Sequence, residues 1–153
     1  MASPAVPAAR LRLRLQAGGL SVAAGVGHGL VAPEHLREWW GYGLFFALAA
    51  VGQVFFGALL LAAPWRYDDT GGLVSAAAAT RPERALCVIG IAGNAAVILL
   101  YVVTRTVGVP FLGPAAGEVE PLGPGGVVTT VFETALVGVL VALWRSPAAD
   151  EAG

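Results

Sequence analysis

WWGYGLFFALAAVGQVFFGALLLAA, residues 39–63, decides the fold of this chain. It holds no charged side chain, and its one amide side chain is Gln53. A hydrocarbon layer about 30 Å thick takes roughly 20 apolar residues in helix, since lipid offers no partner for a free backbone amide. The stretch is long enough to cross. Trp39, Trp40 and Tyr42 at its start and Pro64-Trp65 at its close fit the two interfaces, where amphipathic rings concentrate.

Working outward, three further apolar stretches qualify or nearly qualify as spans: 15–32, which is short and rich in glycine, 85–104 and 126–144. The expectation is one all-α transmembrane domain over residues 1–153, an integral membrane four-helix bundle. Composition agrees: hydrophobic residues make 57% and charged residues 12%, the latter about half the share in a soluble domain. A net charge of -1 leaves no basic excess to neutralise phosphates, which argues against a nucleic-acid partner. Cys87 stands alone, which rules out an intramolecular disulfide and a cysteine metal framework.

All nine basic residues are arginine. With the amino terminus in the cytoplasm, Arg10, Arg12, Arg14, Arg66, Arg81, Arg84 and Arg145 fall inside, and Arg37 and Arg105 outside. The positive-inside rule therefore places both termini in the cytoplasm of a plasma-membrane, multi-pass protein. An alternative stays open: arginines followed by a small-residue apolar run also describe a secretory signal peptide, whose removal leaves three spans.

The connections differ in kind. Residues 66–79 read as a small polar loop, and Thr80-Arg-Pro-Glu83 as a capping box that starts the third helix. Pro33 in PEHLREWW, residues 33–40, reads as a first helical position that lets the second helix begin at the membrane surface. Residues 106–125 hold four prolines and five glycines, too many for continuous helix. The apolar content of that long extracytoplasmic loop favours a structured lid over the helix ends.

Ionisable groups inside a span cost about 2.5 to 3.5 kcal/mol each on insertion scales, so each needs a partner or a purpose. The depths expected from the four spans place His28 and Glu133 in the outer third, Gln53 and Asn94 near the midplane, Tyr101 above them and Arg105 at the outer boundary. The cytoplasmic half is expected to be almost purely apolar. Asn94, Tyr101, Thr104 and Arg105 share one face of the third helix by helical spacing. Ala17, Ser21, Gly25 and Gly29 form a small-residue stripe on the first, and His28 borders it.

These placements define a candidate site at the extracytoplasmic ends of the helices. His28, His35, Glu38 and Glu133 are candidate metal ligands, because imidazole with carboxylate suits a divalent ion such as zinc or manganese and can also pass protons. Arg105, Gln53, Asn94, Tyr101, Glu118 and Glu120 are candidate ligand-binding residues around them. Plainer roles compete: His28 bonded to Glu133 as packing, Gln53 and Asn94 as an inter-helical pair, Arg105 as an anchor or partner of Glu133, and Thr130 to Glu133 as a capping box at the fourth helix's start.

HGLVAPEHLREWWGYGLFF, residues 28–46, and GNAAVILLYVVTRTVGVPFLGPAAGEVEPLG, residues 93–123, resemble stretches of small, uncharacterised four-helix integral membrane proteins of prokaryotes. The resemblance implies the four-span architecture and carries no catalytic residue. The function expected is binding of a divalent cation or small polar ligand, or proton relay, rather than enzymatic turnover. The alternatives are a structural or accessory subunit of a larger membrane complex, and a small transporter working as a homo-oligomer in the bilayer.

Overall fold

A computed structural model describes residues 8–147. The chain there forms α1 (Ala8–Glu38), α2 (Trp40–Ala62), α3 (Ala76–Thr106) and α4 (Pro124–Arg145), with a 3-10 turn at Pro64–Arg66 after α2. All four helices are long and apolar enough to cross a membrane. Large apolar side chains such as Leu30, Leu48, Val51, Phe55 and Leu99 are exposed along their flanks, as a lipid-facing surface requires.

α1 and α2 form a tight hairpin whose hinge is the single extended residue Trp39, at φ -163 and ψ 137. The expectation that Pro33 opens the second helix is corrected here: Pro33 lies inside α1, which runs on to Glu38. At a rise of 1.5 Å per residue α1 is ~46 Å long, longer than the hydrocarbon layer, so PEHLRE extends the first helix beyond a 30 Å core. The two helices cross on glycine. A Cβ on Gly57 would sit 2.7 Å from Gly18 O, and one on Gly25 2.9 Å from Ala50 O.

α1 also packs on α4, and α4 on α3. α2 and α3 meet mainly through side chains, with Phe56 reaching the flank of Gly90. The buried apolar core is Ala17, Leu60, Cys87, Leu136, Leu140 and Leu143, drawn from all four helices. On α1 the buried positions Arg10, Arg14, Ala17, Ser21, Ala24 and His28 repeat at alternating spacings of four and three, so one face looks inward along most of its length. The small-residue stripe is buried at Ala17, Ser21 and Gly25, with His28 beside it, while Gly29 at its end is exposed.

α3 begins four residues before the expected capping box. Ser75 caps it, its Oγ accepting from Ala78 N at 3.3 Å, and Pro82 lies within the helix. The loop between α3 and α4 is ordered against α2. Tyr42 Oη donates to Leu112 O at 2.7 Å, and Gly113, at φ 73, lies against the rings of Tyr42 and Trp39.

Candidate functional site

Four polar side chains, one from each helix, converge at the centre of the bundle. His28 Nε2–H donates to Glu133 Oε1 over 2.8 Å, and Gln53 Nε2 donates to the same oxygen over 3.0 Å. Gln53 Nε2 also reaches Asn94 Oδ1 at 3.3 Å, and Asn94 Nδ2 is held by Gly90 O at 2.8 Å. Glu133 is 1% exposed and His28 5%. With water excluded, a carboxylate there depends on these donors for its solvation.

Local sequence explains how each is delivered. His28 ends the inward stripe of α1, and Ser21, two turns earlier on it, donates from Oγ to Gln53 O at 2.7 Å. That bond ties the α1 stripe to the turn of α2 that carries Gln53. Glu133 stands near the middle of α4, whose start at Pro124 has Gly123 as its cap and no capping side chain. The capping-box reading of Thr130 to Glu133 is thus corrected. Gln53, Asn94 and Glu133 come from middle turns of their helices, and His28 from the second half of α1.

The remaining candidates separate into other places. Arg105 Nη1 pairs with Glu120 Oε2 at 2.6 Å instead of with Glu133, donates to Thr104 Oγ1 at 2.7 Å and lies over the Tyr101 ring at 4.7 Å. This cluster fastens the end of α3 to the loop, where Glu120 N also donates to Thr104 O at 3.0 Å. Tyr101 packs beside Gly126, and its buried hydroxyl has no partner among the described residues. Glu118 is exposed.

His35 and Glu38 do not join His28 and Glu133. His35 Nδ1–H donates to Val31 O at 3.0 Å, and Phe46 packs against both imidazoles, 4.2 Å from His35 and 5.7 Å from His28 between ring centroids. The two histidines are also separated by two turns of one helix, about 10 Å of rise, too far to share an ion with bonds near 2 Å. Glu38 is exposed at the end of α1. Among the described residues no group of three or more His, Cys, Asp or Glu side chains could hold a metal ion. The metal-binding expectation thus lacks a coordinating set.

A second polar group was missed. Arg10 Nη2 donates to Glu83 Oε1, both side chains buried, and Arg10 Nη1 donates to Ser146 O at 2.6 Å and Pro147 O at 3.2 Å. Arg14 is buried one turn further along α1. The half of the bundle expected to be almost purely apolar therefore encloses charge. The available signal was the spacing itself: Arg10 and Arg14 continue the stripe of Ala17, Ser21 and His28 backwards by whole turns. No family model, curated protein or solved structure matches this chain.

Proposed function

We propose that this chain is a plasma-membrane protein with both termini in the cytoplasm, working through His28 and Glu133 as a proton-binding centre linked to a small polar ligand or to proton passage. The observation that supports this reading most directly is the single oxygen of Glu133 that accepts from both His28 and Gln53 while almost wholly buried. Transfer of the shared proton from imidazolium to carboxylate along the His28–Glu133 bond would convert an ion pair into a neutral pair, and intramembrane groups of this kind mark proton and ligand paths. Gln53 Oε1 and the Tyr101 hydroxyl are buried with no partner among the described residues, so hydrogen-bonding capacity remains for a ligand or water. The cytoplasmic placement of the termini rests on the arginine distribution; the chain ends themselves lie outside the described residues.

The test is infrared difference spectroscopy of the reconstituted protein across about pH 5 to 8, the range in which histidine ordinarily changes charge. A protonation-linked carboxyl band is expected in the wild type and absent in Glu133→Gln. Its absence from the wild type defeats the reading. A second reading, a scaffold or accessory subunit, draws support from the way each polar member ties two helices together or is anchored to its own backbone. That reading expects no pH-dependent signal and a fixed partner on gentle purification.

A further inference from the structure

Among the described residues, the end of the bundle that carries the start of α1 holds more positive charge than it neutralises. Glu83 is already engaged by Arg10, whose remaining donors close onto the carbonyls at the end of α4. Arg14, one turn on, is 6% exposed, its Nε is wholly buried, and its guanidinium makes no hydrogen bond or ion pair with any described residue. Gly18, one turn after Arg14, packs on Leu61 near the end of α2, where a Cβ would lie 2.7 Å from Leu61 Cγ, so the 3-10 turn that carries Arg66 comes level with Arg14, and Arg10 and Glu83 lie within electrostatic reach of Arg14 too. The Arg66 side chain also has no partner among the described residues. Around Arg14 the described charged groups within that reach are Arg66, Glu83 and Arg10, so among the described residues cations outnumber carboxylates there.

We propose that Arg14 and Arg66 form a binding site for a phosphate-bearing anion, either the headgroup of an anionic phospholipid or free phosphate. A guanidinium is a planar fork whose donors match phosphate oxygens, and it keeps its charge on burial, so an unpartnered buried arginine calls for such a group. The site lies at the end of the bundle where α1 and α3 begin and α2 and α4 finish, and basic pockets between the ends of membrane helices suit anionic lipid. Trp65, whose buried indole N–H has no partner among the described residues, stands next to Arg66 in the chain and adds a donor at the same end. The Arg10–Glu83 bond forms the wall behind the site: it keeps the Glu83 carboxylate occupied.

The experiment uses the full chain, purified in detergent and stripped of lipid. Its melting temperature is followed on addition of phosphatidylglycerol, phosphatidylcholine or inorganic phosphate. Phosphatidylglycerol is expected to raise the midpoint more than phosphatidylcholine, and inorganic phosphate acting equally well would uphold the anion site with free phosphate as its source. Arg14→Gln and Arg66→Gln each weaken the apparent affinity about tenfold or more, as loss of a forked charge contact does. Arg12→Gln, on the exposed face of the same helix, leaves it unchanged. Should Arg14→Gln fail to fold, Arg14→Lys, which keeps the charge and loses the fork, and Arg66→Gln carry the test. Equal response of the wild type to all three additions, or full affinity in Arg66→Gln and Arg14→Lys, overturns the proposal.

Discussion

Glu133 accepts two hydrogen bonds at one oxygen, in a place that water does not reach. Glu133→Ala leaves the His28 and Gln53 donors unmatched, and thermal unfolding in detergent is expected to show a loss of about 3 kcal/mol. Glu133→Gln keeps the volume and an acceptor oxygen, so it costs less, about 1 to 2 kcal/mol. A double-mutant cycle of His28→Ala with Glu133→Ala is expected to give a coupling of about 1 to 3 kcal/mol, and additive losses would show that the pair does not interact. Glycines divide in the same way according to their surroundings. Gly57→Ala drives a Cβ to 2.7 Å from Gly18 O and 2.8 Å from Val22 Cγ2, an overpacking worth about 1 to 3 kcal/mol. Gly52→Ala meets nothing within 4 Å and is expected to be neutral or slightly stabilising by the same measurement.

At the scale of elements, α1 is the member that organises the rest. Its inward face carries Arg10 and Arg14 at one end and His28 towards the other, so one helix supplies a residue to both polar groups. The sequence pattern places such a face but not its limits. Pro33 and Thr80 both carry the usual marks of a helix start, yet each lies inside a helix, because tertiary packing of long apolar helices outweighs a local signal of about 1 kcal/mol. The connection between α2 and α3 is held by Asp68, which accepts from Thr70 Oγ1 at 2.6 Å, Gly72 N at 2.8 Å and Thr70 N at 2.9 Å. These bonds, that from the Thr70 hydroxyl first, hold the Asp68 carboxyl below its usual value of 3.8. A lowered value means that the turn is fully favoured above the ordinary carboxylate range and loosens as pH falls through the lowered value. Asp68→Ala is expected to speed amide exchange at Thr70 and Gly72 on the order of tenfold at neutral pH, and to abolish that acid dependence.

For the whole molecule, the proposed orientation predicts which loops meet which compartment. In a Cys87→Ala background, Ser75→Cys is expected to react with an impermeant thiol reagent only from the cytoplasmic side, and Gly117→Cys only from the other; the reverse labelling would invert the topology. Cys87 itself is buried in the core and is expected to stay unreacted. Four helices, their apolar flanks and the candidates Gln53, Asn94, His28 and Glu133 are legible without coordinates, because a span must be apolar over a fixed length and a polar residue within it stands out. The pairings His28–Glu133 and Gln53–Asn94 are legible as alternatives and both form, but that the two pairs join at one Glu133 oxygen, with Arg105 elsewhere, is not legible. Sequence alone determined that this chain forms membrane-length helices and that its intramembrane polar groups need partners, since both follow from the cost of unsatisfied polar atoms in hydrocarbon. Only the tertiary structure decided that Glu133 takes His28 and Gln53 while Arg105 takes Glu120, that Phe46 lies against both histidines, and that Arg10 and Arg14 are buried. Those pairings depend on how each helix is rotated and shifted against its neighbours, and that is set by glycine contacts and core packing spread over the whole bundle.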